Sequence, residues 1–161
     1  MPMSLEKLAF ARRGFGLAWL SLCVAFGLHA WDEAAHDFLG YYNATVLALY
    51  GHFSWFPRID MTYPEWLIGV IAAVLICTAL TPFAFRNARW LRPLAYLFGL
   101  VHFMNGVAHI LAQIRGGTVP SVRFEGAGPG FYTAPLLLAG SFFLFCRLRQ
   151  TQPAAGGAAP S

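Results

Sequence analysis

The chain has 161 residues, of which 58% are hydrophobic and only 11% charged, with a mean hydropathy of +0.56. Soluble domains carry about 25% charged residues, so a water-soluble globular fold does not account for this composition and lipid is the solvent it suits. The net charge of +4 lies in short turns between apolar segments, where it reads as a topology signal and needs no nucleic-acid partner.

Four apolar windows come near the ~20 residues needed to cross a hydrocarbon core of ~30 Å: 15–31, 66–85, 93–114 and 130–146. They predict an all-α integral membrane four-helix bundle over 14–149, with a basic N-terminus at 1–13 and a Pro-, Ala-, Gly- and Ser-rich disordered tail at 150–161. Lys7, Arg12 and Arg13 precede the first span, Arg86, Arg89 and Arg92 fill the second turn, and Arg147 and Arg149 follow the fourth. The opposite side holds only Arg58, Arg115 and Arg123, so the positive-inside rule makes both termini cytoplasmic. The first window also has the outline of a signal peptide. Cleavage near Ala25-Phe26-Gly27 would remove a span just before His29, so the segment is expected to be retained.

The first external connection contains Asn43 to Gly51, which predicts a short interfacial helix with Asn43 at its N-cap and Gly51 just past its end. Trp31, Trp55 and Trp66 lie near it, as aromatic residues do at membrane interfaces. The second span has no ionisable residue between its ends and is assigned to structure, with Thr81-Pro82 at its exit. The segment from Arg115 to Gly128 reads as a Gly-rich polar loop whose arginines are solvated or meet an anion at the positive end of the last helix. Pro129 suits the first turn of that helix and Pro135 predicts a kink within it. Cys23, Cys77 and Cys146 stand singly in apolar spans and read as small buried hydrophobes.

The informative residues are polar groups in apolar helices. Each ionisable group costs roughly 2.5–3.5 kcal/mol at the centre of a membrane helix on insertion scales. His29, Glu33 and His36 share one helical stripe with Asp32 beside it, and His102, Asn105 and His109 form another on the third span. Gly99 and Gly106 flank the second stripe and would admit a neighbouring helix closely. Because the third span runs outward, His109 ends at about the depth of His29. Tyr132 and Thr133 arrive near that level and are taken as interface residues, while His52 is taken as structural.

These residue types fit three chemistries. Glu33-Ala-Ala-His36 is one ExxH step of the kind found in di-iron bundles, which need two. A mononuclear zinc or iron site from His29, Glu33, His102 and His109 is more economical. Metal-free acid–base catalysis by a tuned histidine is the second, with His29, Glu33 and His109 as the catalytic group. The third is ligand binding, in which Asp32 or Glu33 neutralises a cationic head and the aromatics enclose its apolar body. Asp32 and Asn105 are the candidate ligand- or cofactor-binding neighbours.

His29-Ala-Trp-Asp32-Glu33 resembles the signature of the bacterial HXXEE family of small membrane proteins, with Asp for the first Glu. Asn105-Gly-Val-Ala-His109 and Pro129-Gly-Phe-Tyr-Thr133-Ala-Pro135 are similar to that family's other motifs, in the same order, and the resemblance runs from about Gly14 to Arg149. It implies a multi-pass protein of the bacterial inner membrane whose marked residues are His29, Asp32, Glu33, Asn105 and His109. It implies no activity. The leading expectation is a polar, metal-binding or acid–base site acting on a lipid-like or other apolar substrate, with Glu33 as ligand or base and His29 and His109 as ligands or proton shuttles. The alternative is a non-catalytic accessory protein whose motif locks helices or holds a partner. A sterol-isomerase-like bundle is a third reading, and a transporter would require a homo-oligomer, since four spans without repeats offer little alternating-access machinery.

The orientation is testable. With Cys23, Cys77 and Cys146 replaced by alanine, a cysteine placed at Ser121 should react with a membrane-impermeant maleimide in intact cells. One placed at Asn87 should react only after lysis, and the reverse pattern would invert the topology.

Overall fold

A computed structural model of the chain describes residues 5–150, with side chains from residue 13 onward. The expected tail lies outside the described residues except for Gln150, and so do the side chains of Lys7 and Arg12. Helix α1 runs unbroken from Leu5 to Ala35. It exceeds the predicted first span because no proline separates the basic start from the apolar run, and it carries the acidic pair inside its last turns.

Helix α2, Phe38–His52, begins earlier than expected. Its N-cap is Asp37, in the left-handed region at φ 51°, whose carboxylate accepts from Gly40 N–H. Asn43 is therefore not the cap. It sits inside the helix and clamps the returning chain, its Nδ2 donating to Met61 O at 2.9 Å and its Oδ1 accepting from Met61 N–H at 3.1 Å. Gly51 likewise lies within the helix.

Helix α3, Tyr63–Ala79, starts at Thr62, whose backbone N–H and hydroxyl both donate to Glu65 Oε2. After Leu80 the short helix α4, Thr81–Phe85, continues the run, Pro82 falling in its first turn. Helix α5, Leu91–Arg115, stops at Gly116, whose φ of 69° lies in the left-handed region that favours glycine. The following segment is more than a loop: β1, Gly117–Val119, and β2, Val122–Arg123, pair antiparallel.

Helix α6, Ala134–Gln150, begins four residues later than the predicted span because residues 130–133 form turns. Pro129 thus precedes the helix, and Pro135 occupies its first turn, where a missing N–H is no loss and no kink results. Its 17 residues measure about 26 Å at 1.5 Å each. Three helical runs are long and apolar enough to cross a membrane: Arg13–Ala35, Tyr63–Phe85 and Leu91–Arg115.

Helix α1 is the axis, 56% buried over its span window, against 28% for the α5 window and 6% for the α3–α4 run. Phe15, Trp19 and Leu22 of α1 pack on Leu91 and Ala95 of α5, Ala84 of α4, and Leu137, Leu144 and Leu148 of α6. Trp19 also donates its indole N–H to Cys77 O at 2.9 Å, tying α3 to α1. Ile68, Leu75 and Ile76 leave the outer face of α3 bare and apolar, a surface suited to lipid. In lipid, apolar burial gives no drive to associate, so close packing holds the helices together. Small residues make that packing possible. A Cβ on Gly106 would stand 3.0 Å from Ala134 O, and a Cβ on Gly99 would strike the Phe145 ring.

Gly106→Val should therefore lower the melting temperature in detergent by several degrees, in line with overpacking costs of about 1–3 kcal/mol. Gly69→Val, where nothing lies within 4 Å, should leave it unchanged.

Candidate metal centre

Helix α5 and the turns that precede α6 meet at the end of α1. Positions four apart on α1 bring His29 and Glu33 onto one stripe, and α5 supplies His109 from the facing side. Glu33 Oε1 lies 3.4 Å from His29 Nε2 and 3.2 Å from His109 Nε2. The two imidazoles meet edge to face with centroids 4.7 Å apart. One ligand atom from each of the three lies within 4.8 Å of the others. His29 is fully buried, Glu33 is buried and His109 is half-buried.

The segment before α6 orients this group. Thr133 donates its backbone N–H and its hydroxyl to Asp32 Oδ2, at 3.0 and 2.8 Å. Its Oγ1 also lies 3.0 Å from His29 Nδ1. A hydroxyl has one proton, and the carboxylate oxygen at 2.8 Å has the stronger claim on it, ahead of Gly130 O at 3.4 Å. Thr133 Oγ1 therefore accepts from His29 Nδ1–H. That places the proton of neutral His29 on Nδ1 and turns the Nε2 lone pair toward Glu33 and His109. Asn105 Nδ2, at 3.3 Å, is the nearest donor to that nitrogen. Gly130 closes the site. It has φ 71°, and a Cβ there would lie 2.6 Å from His29 Cε1 and 2.8 Å from His109 Cε1.

The structure sorts the sequence candidates. His29, Glu33 and His109 converge, and Asn105 touches His29 without joining them. Asp32 faces Thr133 and His36, holding the trio in place from behind. Its carboxylate accepts the backbone N–H of Thr133 at the start of α6, the positive end of that helix. His102 stands outside the trio, its Nδ1 on Phe98 O at 2.8 Å and its ring against Phe26 and Phe98. His36 leaves the stripe because α1 ends at Ala35. It turns back to Asp32, its Nδ1 bonding the Asp32 carbonyl oxygen at 2.8 Å with Oδ1 equally near, so the ExxH step is not assembled. His52 lies in the last turn of α2 beside Phe53.

Two residues of the site were not recognised in advance. Sequence pattern alone puts Thr133 at the interface and gives Gly130 no role. The Pro129-Gly130 pair marks a turn, but only the rings above it show why a side chain is barred. The chain matches no protein-family model, no curated protein and no solved structure.

Thr133→Val should leave His29 Nδ1–H unanswered and cost about 1–3 kcal/mol, as buried unsatisfied donors do. Thr133→Ser should retain wild-type melting. Equal melting of all three proteins would remove the relay from the account.

Proposed function

We propose that the protein is a multi-pass membrane protein holding one divalent metal ion, zinc or iron, at His29, Glu33 and His109. The observation that carries this reading is the spacing of the trio. Charge-assisted hydrogen bonds between nitrogen and carboxylate run about 2.7–2.9 Å, shorter than the 3.2 and 3.4 Å found here. Ligands about 2.0–2.1 Å from a tetrahedral metal lie roughly 3.3 Å apart, which the two distances from Glu33 Oε1 match, while all three ligand atoms lie within 4.8 Å of one another. The donor set agrees: two imidazoles and a carboxylate make up both catalytic zinc sites and facial iron sites, each with positions left open. His29 has its Nδ1–H engaged by Thr133, the outer-shell arrangement usual for metal-bound histidine, which leaves Nε2, 3.3 Å from Asn105 Nδ2, as the nitrogen to meet a metal.

The same reading takes α6 as the fourth span, extended by its preceding turn, with both termini cytoplasmic and the site in the outward half of the bundle. The bare apolar face of α3 supports the membrane setting, and the motif resemblance supports a bacterial inner membrane. A bound divalent ion would supply Lewis-acid chemistry, polarising a substrate oxygen or a water. Glu33 would hold the ion with its Oε1, Thr133 and Asp32 would keep His29 in one tautomer, and Gly130 would exclude bulk from the ring edges.

Metal analysis of purified protein grown with several metals should find one equivalent of zinc or iron, lost in His109→Ala and Glu33→Gln. Metal-free wild type under every growth condition would sink the reading. If His109→Ala instead unfolds, Glu33→Gln, nearly isosteric, still decides between a metal ligand and a helix lock.

A further inference from the structure

A cavity of about 430 Å³ lies between α2 and α5, beneath the hairpin. That volume falls within the range of small-molecule sites, about 300–1,000 Å³. Asn105 and His109 form part of its lining, so it reaches the side chains of the proposed metal centre. Phe38, Tyr41 and Phe124 give it an aromatic wall, and Tyr41 and Phe124 pack edge to face at 5.0 Å. Thr45 of α2 and Thr118 of β1 join their hydroxyls beside it, linking helix to hairpin.

Its charge is one-sided. Arg115 lines the cavity, and no acidic side chain does. No ion pair holds its guanidinium among the described residues. Arg123 brings a second cation alongside, donating its Nη1–H to Arg115 O at 2.7 Å. Arg115 is six residues beyond His109 on α5, about 9 Å along the helix. A cation at one end, an aromatic wall, and polar nitrogens about 9 Å deeper match an amphiphile with one negative end.

We propose that this cavity is the substrate chamber of the metal centre and takes a single-chain amphiphile with a carboxylate or phosphate head. The head pairs with Arg115, and the chain lies along the aromatic wall with its far part beside His109. The assignment rests on the metal-centre reading for the word substrate, while the binding itself does not.

The test uses the full chain in nanodiscs of neutral lipid, with equilibrium binding of radiolabelled decanoate, decyl phosphate and decanol. One or both anions should bind saturably, and decanol at least tenfold more weakly; which anion binds better separates a fatty carboxylate from a phosphate ester. Arg115→Gln should weaken anion binding about tenfold, Arg115→Lys should restore most of it, and Ala112→Trp should block the cavity. Glu33→Gln should keep anion binding while losing metal. The proposal is overturned if neither anion saturates, or if decanol binds as well. It is also overturned if Arg115→Gln binds like wild type, a result that does not depend on how the tryptophan variant folds. Metal without saturable anion binding would remove the chamber and leave the metal centre, whereas anion binding by metal-free wild type would remove the metal centre and leave a binding site.

Discussion

One hydroxyl proton organises the junction on which the site depends. Thr133 gives it to Asp32 and so takes the proton of His29 as acceptor, binding two side chains of α1 to the entry of α6. The consequences run in both directions. The start of α6 is fixed against the end of α1, and the imidazole of His29 is fixed in tautomer and in plane. Asp32 accepts two donors from Thr133 and faces the positive end of α6, which offsets the cost of a buried carboxylate. Glu33 is placed differently, between His29 of α1 and His109 of α5. The adjacent acids therefore differ in role: Asp32 stabilises the junction, and Glu33 faces the proposed metal centre.

Close backbone approach is the other condition. Gly106 and Gly99 let α6 lie against α5, and Gly130 lets the chain pass over both imidazoles. Lipid offers apolar side chains as good an environment as a neighbouring helix does, so such contacts and the few polar bonds between elements must hold the helices together. The nearly bare α3–α4 run shows the same physics from outside: its leucines and isoleucines gain nothing by turning inward.

The proposed metal centre and the cavity meet on α5. His109 belongs to both, while Arg115 marks the other part of the cavity lining. Helix α2 and the hairpin form walls there, which gives the connecting segments a role beyond linking spans. Asn43 supports this arrangement by clamping Met61 and keeping the long connection folded back on α2.

Local spacing determined much of this protein. Helical periodicity alone puts His29 and Glu33 on one stripe, and composition alone identifies the apolar runs now found as α1, α3–α4 and α5. The direction of successive spans was enough to bring His109 to the depth of His29. Spacing fails where an element ends: the stripe extended to His36 stops at Ala35, and the cap expected at Asn43 falls to Asp37, six residues earlier. Tertiary structure decided the rest. Whether His102 joined the trio depended on its nearest acceptor being the Phe98 carbonyl, and Thr133 and Gly130 became site residues only when α6 docked on α1. A sequence displays which groups share a helix face, because that follows from a fixed rise and turn per residue. It does not display which groups on separate helices meet, because that depends on how closely the backbones approach.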